Sequence, residues 1–273
     1  MEKEPVPLTL ESGVREPQPG ARPENRSPNM AGHSWRFPPA PLRSSFVATT
    51  AVALAVLIVV ASLARARLSL DGLYVWKAVA LFVAMLLLAV GYLASNHPFA
   101  RFGPANQTTT SRALLAALVA GFVGEHNSSS AAATAAALTL AITGLDGLDG
   151  WLARRSRLSS DFGARFDMEV DALLVMVLSI LAWQFGKAGP WVLLSGLLRY
   201  GFLVAGWVRP WLARPLPPSR RRQLVCVVQI AGLNLAIIPA IHSPASAPVA
   251  AVALAALVYS FTVDVVWLWR HAG

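Results

Sequence analysis

From Phe46 onward the chain alternates between long apolar runs and short polar breaks. The eight runs cover residues 46–64, 73–95, 113–125, 128–146, 168–186, 188–208, 223–242 and 247–269. A helix needs about 20 residues, within a range of about 17–25, to cross the hydrocarbon core of a bilayer. Six of the runs meet this criterion easily, and the pair at 113–125 and 128–146 is shorter or more polar. Inside a bilayer every backbone polar group must be satisfied within its own segment, which favours helices. We therefore predict an all-α, polytopic membrane helix bundle.

The composition excludes a soluble nucleic-acid-binding protein. Of the 273 residues, 55% are hydrophobic and only 14% are charged, whereas a soluble domain carries about 25% charged residues. The formal net charge of +9 therefore indicates basic loops beside membrane lipids, and we expect no nucleic-acid partner. The single cysteine, Cys226, excludes an intramolecular disulfide and a CxxC metal site.

Residues 1–43 differ from the rest of the chain. They hold nine of the 19 prolines, five of the 14 acids and six of the 23 bases, without sustained apolar periodicity. Such a composition cannot bury enough apolar surface to form a core. We predict a disordered cytoplasmic tail.

The placement of lysine and arginine predicts the orientation. With a cytoplasmic tail, eight spans place the arginine-rich loops 96–112, 147–167 and 209–222 and the C-terminus on the cytoplasmic side. The opposite loops near 126–130 and 242–247 contain no lysine or arginine. Three cations, Arg65, Arg67 and Lys77, would lie on the far side and conflict with this orientation.

Nine acids lie outside the tail, and six of them fall between Asp146 and Asp171. Asp146 and Asp149 are three residues apart, Asp167 and Asp171 are four apart, and residues at these spacings share a helix face. A short turn between antiparallel helices would bring the two pairs together. Four converging carboxylates repel one another unless hard cations such as Mg²⁺ or Mn²⁺ neutralise them. Two such ions would form a clamp for phosphoryl chemistry.

Small residues and a cation accompany the carboxylates. Gly150 and Ala153 continue the face of Asp146, and Gly163 precedes Asp167 by four residues. These positions leave the helix faces open. Arg154 adds a planar, permanently charged phosphate donor. The combination predicts a pocket for a metal-bound pyrophosphate.

The stretch DGLDGWLARRSRLSSDFGARFDMEVD resembles the signature of the CDP-alcohol phosphatidyltransferase family, D-x2-D-G-x2-A-R-x8-G-x3-D-x3-D. All eight fixed positions are filled at the right spacing, by Asp146, Asp149, Gly150, Ala153, Arg154, Gly163, Asp167 and Asp171. Upstream, GPANQTTTSR is similar to the N-x-x-T-x-x-R sequence that opens the first core helix of the family, with Asn106, Thr109 and Arg112. The resemblance covers roughly residues 104–270.

The resemblance implies a six-helix core at 98–273, preceded by two extra transmembrane helices at 44–97. It implies a transferase of phospholipid biosynthesis that moves a phosphatidyl or related phosphoalcohol group from a CDP-linked donor, such as CDP-diacylglycerol, to an alcohol, with release of CMP. It also implies a homodimer. We expect an integral protein of a bacterial inner membrane, with its active site and both termini on the cytoplasmic side.

The resemblance also assigns site residues. The two metal ions, Mg²⁺ or Mn²⁺, would be held by Asp146, Asp149, Asp167 and Asp171. Asp171 would act as the general base. The CDP site would contain Gly150, Ala153, Arg154, Gly163, Asn106 and Thr109.

Other polar residues in the apolar runs leave alternatives open. Arg199 either recognises phosphate or the acceptor together with Arg112, or forms an ion pair within the bundle. Gln229 fits a Thr-x-x-Gln pattern that relatives show in this helix, but Cys226 replaces the threonine. Asp264 is expected to pair with Arg270.

Two other function classes compete with the enzyme. A membrane cation transporter would use the acidic cluster, but its acids should lie near the middle of spans and beside broken helices. An inactive family member could act as an assembly factor, although the intact carboxylates argue against it.

Overall fold

The computed structural model of the protein describes residues 40–96, 102–156 and 161–271, and those residues contain helices and no strand. The eight α-helices are α1 Ala40–Leu68, α2 Leu73–Asn96, α3 Pro104–Gly121, α4 Ser129–Ser156, α5 Asp161–Gln184, α6 Leu194–Val208, α7 Arg220–Ile237 and α8 Ser246–Arg270. Short 3₁₀ helices at Pro190–Leu193 and Pro210–Ala213 flank α6. The predicted all-α helix bundle is confirmed.

Four helices in the described ranges are long and apolar enough to cross a membrane. They are Leu42–Leu68, Leu73–Gly91, Pro190–Val208 and Ser246–Arg270. These are two fewer than the six runs that meet the criterion for a span easily, because α5 and α7 both begin in charged residues. The predicted run 188–208 is also not one α-helix, since a 3₁₀ turn that begins at Pro190 precedes α6. Proline lacks an N–H donor and starts helices rather than continuing them.

The predicted tail lies outside the described residues as far as residue 39. The first helix begins at Ala40, so residues 40–43 of the predicted tail belong to α1. The division into 44–97 and 98–273 stays a prediction.

The third helix lies at the centre of the bundle. It packs against α1, α2, α4 and α5, while α7 packs against α4, α5 and α8. Buried alanines line the faces that α3 and α4 turn inward, namely Ala113, Ala116, Ala117, Ala131, Ala132, Ala135 and Ala136. Small side chains let helix backbones approach closely, which is how helices associate in membranes. Helix α3 thereby holds its polar residues between α4 and α5.

The two N-terminal helices pack on the same central helix. The hydroxyl of Tyr74 on α2 donates to the Leu118 carbonyl of α3 at 2.9 Å. Its ring lies so close to Gly121 that a Cβ there would be 2.6 Å from Tyr74 Cε2. On α1, Phe46 meets Phe102 edge to face, with ring centroids 5.2 Å apart. The α1–α2 hairpin is therefore joined to the core at both ends of α3.

A balanced ionic cluster, which we call the Glu125 cluster, joins α2 to the α3–α4 connection. It comprises the Lys77–Glu125 ion pair, the Asp71 N–H, the Val123 carbonyl and the Gln184 amide. Lys77 Nζ lies 2.5 Å from Glu125 Oε1 and donates to the Val123 carbonyl at 2.8 Å. The Asp71 N–H donates to Glu125 Oε2 at 2.8 Å, and Gln184 Nε2 donates to the Glu125 carbonyl at 3.0 Å. Lys77, one of the three cations that conflict with the predicted orientation, is thus neutralised by a carboxylate.

The predicted pairing of Asp264 with Arg270 is wrong. Asp264 is buried on α8 and forms ion pairs with Arg221 and Arg222 of α7 rather than with Arg270. Arg221 also donates to the Ser260 carbonyl at 2.5 Å. The reason is the packing of α7 along α8, which brings the arginines at the start of α7 to the second half of α8.

Candidate active site

Three carboxylates from two helices converge at one place in the bundle. Asp146 lies on α4, and Asp167 and Asp171 lie on α5. Because Asp167 and Asp171 are four residues apart, their side chains leave the same face of α5. One carboxylate oxygen from each residue lies within 4.8 Å of those of the other two. The structure therefore brings together three of the four predicted metal ligands.

The guanidinium of Arg112 lies among these carboxylates. Its Nη1 is 2.9 Å from Asp146 Oδ1, its Nη2 is 2.5 Å from Asp171 Oδ1, and Nη1 also pairs with Asp167. The Arg112 side chain is only 1% exposed. Among the described residues, three carboxylates therefore face one guanidinium. We call these four residues the Asp171 cluster.

The donor set of the Asp171 cluster fits a hard divalent cation. Carboxylate oxygens are the ligands that Mg²⁺ and Mn²⁺ prefer, and the three described carboxylates outnumber the one guanidinium among them. The fourth predicted ligand, Asp149, lies on α4 three residues beyond Asp146. Its side chain is outside the described residues. The arrangement has the ligands for a metal centre.

The carboxylates differ in exposure. The side chains of Asp146 and Asp167 are 36% and 35% exposed, whereas that of Asp171 is 19% exposed. On the α7 side, the Cys226 thiol lies 3.7 Å from Asp171 Oδ2, a distance for a weak sulfur hydrogen bond. Asp171 is thus the innermost of the three, at the position where α5 meets α7.

An aromatic cluster supports the start of α5. Phe162 stacks on Phe166 with ring centroids 5.8 Å apart, and Phe102 lies 6.1 Å from Phe162. All three rings are buried. Because aromatic side chains bury large apolar areas, this packing fixes the first turns of α5 against Phe102, two residues before α3. The position of Asp167, next to Phe166, follows from it.

The predicted CDP-binding residues divide into two groups. The side chains of Ala153 and Arg154, and Gly150 with them, lie outside the described residues, although all three positions belong to α4. Gly163 lies in the first turn of α5.

Asn106 and Thr109 are both buried in α3. Asn106 Nδ2 donates to the Phe102 carbonyl at 2.5 Å, and Thr109 Oγ1 donates to the Ala105 carbonyl at 3.1 Å. They lie on the helix that carries Arg112, in the two turns before it.

The two arginines predicted to recognise phosphate or acceptor lie in different places. Arg112 belongs to the Asp171 cluster. Arg199 on α6 pairs with Glu169 at 2.6 Å. Glu169 is two residues from both Asp167 and Asp171, which places it on the opposite face of α5. The structure therefore does not bring Arg199 to the carboxylates.

Two features of the site were not predicted from the sequence. In the sequence, Cys226 is only a departure from the pattern of relatives, yet its thiol lies 3.7 Å from Asp171 Oδ2. Gln229 follows Cys226 by one helical turn and is 1% exposed, and within the described residues neither polar atom of its amide has a hydrogen-bond partner. The Thr-x-x-Gln pattern was the available signal for both positions.

Comparison with protein families gives one result that covers the site. The sequence model described as CDP-alcohol phosphatidyltransferase matches residues 102–263, which is more than half of the 273-residue chain. The matched range contains α3 to α7, most of α8 and every predicted site residue. Comparison with curated proteins and with solved structures found no match.

Proposed function

Since this chain belongs to the CDP-alcohol phosphatidyltransferase family, we propose that it transfers a phosphatidyl or related phosphoalcohol group from a CDP-linked lipid to an alcohol. CDP-diacylglycerol is the donor, CMP is the second product, and the reaction serves phospholipid biosynthesis. The observation that carries the proposal is the Asp171 cluster, in which three described carboxylates converge around one guanidinium.

The carboxylates hold the metal in this proposal. Asp146, Asp149, Asp167 and Asp171 are the ligands of two divalent ions, Mg²⁺ or Mn²⁺. When bound, these ions neutralise the charge of the pyrophosphate and of the departing CMP. The protein supplies oxygen donors from two helices that are packed against the buried α3, and a rigid donor set of this kind keeps the substrate in a reactive position.

Asp171 takes the proton. One of its oxygens accepts the hydrogen of the acceptor hydroxyl, and the hydroxyl oxygen forms a bond to the phosphorus that carries the lipid. The bond between that phosphorus and the bridging oxygen breaks, and CMP leaves with the electron pair. A carboxylate is a weak base, so close positioning of the hydroxyl has to supply much of the rate. The low exposure of Asp171, 19% against 36% and 35% for its partners, supports the choice of this residue.

The nucleotide lies along α4 in this proposal. Arg154 binds phosphate, and Gly150, Ala153 and Gly163 leave space for the nucleotide against the helix backbones. Asn106 and Thr109 complete the CDP site from α3.

The acceptor enters from the α7 side. Gln229 supports this placement, because a buried amide without partners is costly and a hydroxyl-rich acceptor would satisfy it. The protein is further proposed to be a homodimer in a bacterial inner membrane, with the site and both termini on the cytoplasmic side.

The direct test is CMP release by the purified full-length chain. The assay contains CDP-diacylglycerol, Mn²⁺ or Mg²⁺, and one of several acceptors, including glycerol 3-phosphate, an inositol phosphate and serine. Release with one acceptor, lost in Asp171→Asn and retained in Glu125→Gln, is the expected result. The Glu125 variant is the matched control because it changes a buried carboxylate outside the Asp171 cluster.

Two outcomes would contradict the proposal. If no acceptor gives CMP above the Asp171→Asn background, the chain is not this enzyme. If reconstituted vesicles take up Mn²⁺ through the protein without CMP release, the cation-transporter alternative gains support.

A further inference from the structure

Arg112 is the most enclosed charged side chain of the Asp171 cluster. Its side chain is 1% exposed, while its three partners are 36%, 35% and 19% exposed. Its two terminal nitrogens reach carboxylates on both α4 and α5. A guanidinium does not lose its proton when it is buried, so Arg112 keeps its positive charge with and without a metal ion.

The guanidinium and a divalent ion need the same partners. Arg112 contacts Oδ1 of Asp146, of Asp167 and of Asp171, and these are the three residues whose oxygens lie within 4.8 Å of one another. Like charges repel strongly at such distances when they are partly removed from water. Without metal, Arg112 reduces the repulsion among the three carboxylates. With metal, Arg112 competes for the ligands.

We propose that Arg112 is the internal counter-ion of the Asp171 cluster, and that it sets the metal affinity of the site by competing with divalent ions for the three carboxylates. The inference rests on the metal site of the proposed function. It differs from the phosphate-binding role that the sequence suggested for Arg112, and it makes Arg112 a positioning residue.

The two roles of Arg112 have opposite consequences for stability. Removal of the positive charge leaves three carboxylates without compensation, so the metal-free protein becomes less stable. The same removal eliminates the competitor, so a divalent ion binds more tightly and restores more stability. A residue that only fills space would lower stability by the same amount with and without metal.

The experiment measures thermal unfolding of the full-length chain in detergent, first in EDTA and then over a series of Mn²⁺ concentrations. Arg112→Gln should unfold at a lower temperature than the wild type in EDTA. Its half-saturating Mn²⁺ concentration should fall by about tenfold or more, because one opposing charge has been removed at ion-pair distance. A half-saturating concentration equal to or above that of the wild type would overturn the proposal.

Lys77→Gln is the matched control. It removes the cation of another ion pair, in the Glu125 cluster, and should lower the unfolding temperature equally in EDTA and in Mn²⁺. If the wild type itself shows no Mn²⁺-dependent stabilisation, the metal site of the proposed function fails. If Mn²⁺ stabilises the wild type but stabilises Arg112→Gln at no lower concentration than it does the wild type, only the counter-ion role fails.

Arg112→Lys covers the case in which Arg112→Gln does not fold. Lysine keeps the charge but not the planar geometry, so the counter-ion role requires that this variant fold in EDTA. A lysine variant that stays unfolded with and without Mn²⁺ would show that the packing of the guanidinium matters rather than its charge, and would overturn the proposal.

Discussion

Two ionic clusters of this bundle combine carboxylates with cations in different proportions. In the Glu125 cluster, one lysine faces one buried carboxylate, and backbone groups satisfy the remaining bonding capacity. In the Asp171 cluster, one arginine faces three carboxylates. Both contain buried charge, which is costly unless it is paired. The Glu125 cluster is therefore balanced, whereas the described part of the Asp171 cluster is unbalanced, with more carboxylates than cations.

The difference separates a structural ion pair from the proposed metal site. An acidic residue inside a membrane bundle is a candidate functional residue, and Glu125 would qualify by that criterion alone. Its partners show that it joins α2 to the α3–α4 connection. The excess of charge, rather than the presence of charge, distinguishes the Asp171 cluster.

The largest expected effect comes from removing a carboxylate of the unbalanced cluster. Asp167→Ala removes a proposed metal ligand and should lower metal-dependent CMP release by about 1,000-fold or more, which corresponds to about 4 kcal/mol of transition-state stabilisation. The metal-free protein should keep or gain stability, because one of three repelling charges is gone. Turnover measured over a Mn²⁺ series, with unfolding in EDTA, checks both.

Unchanged turnover in Asp167→Ala would remove Asp167 from the metal site. A marked loss of stability in EDTA would show that the three carboxylates do not repel one another in the metal-free protein.

Breaking the balanced cluster should affect stability alone. Glu125→Leu leaves Lys77 without its carboxylate and the Asp71 N–H without its acceptor. The expected cost is about 2–4 kcal/mol, the same with and without Mn²⁺, and CMP release per folded molecule should stay within about twofold of the wild type. Thermal unfolding and active-site-normalised turnover are the measurements.

The double variant Glu125→Leu with Lys77→Met sharpens this test. Removal of both charges leaves no unpaired ion, so part of the lost stability should return. If the double variant is as unstable as the sum of the single variants, the pair is not coupled and the comparison of the two clusters loses its basis.

The difference between these clusters shows which features can be predicted from the sequence. The eight apolar runs predict the eight helices, since a length near that of a bilayer and an apolar composition are local properties. The convergence of Asp167 with Asp171 also follows from a local property, their four-residue spacing. The family signature then extends this face to Asp146 on the preceding helix.

Partners across helices were harder to predict. Lys77 pairs with Glu125, 48 residues later, and Asp264 pairs with Arg221, 43 residues earlier. Such pairs depend on the rotation of each helix about its axis, which packing determines and local spacing does not. Arg112 is the clearest example. The sequence indicated a buried cation near phosphate chemistry, but the placement of its guanidinium among the carboxylates results from how α3 packs between α4 and α5.

The smallest effect is expected at a third ionic contact, between Arg199 and Glu169. Their side chains are 26% and 35% exposed, and pairs of this kind contribute about 0–1 kcal/mol. Because Glu169 lies on the face of α5 opposite to Asp167 and Asp171, Arg199→Gln should change the KM for the acceptor by no more than about twofold and leave the Mn²⁺ dependence unchanged, given so small a contribution. Acceptor titrations of the variant and the wild type at saturating donor measure this. A tenfold rise in the acceptor KM alone would instead assign Arg199 to acceptor recognition. It would also show that a residue in a charge-balanced ion pair of this bundle can take part in function.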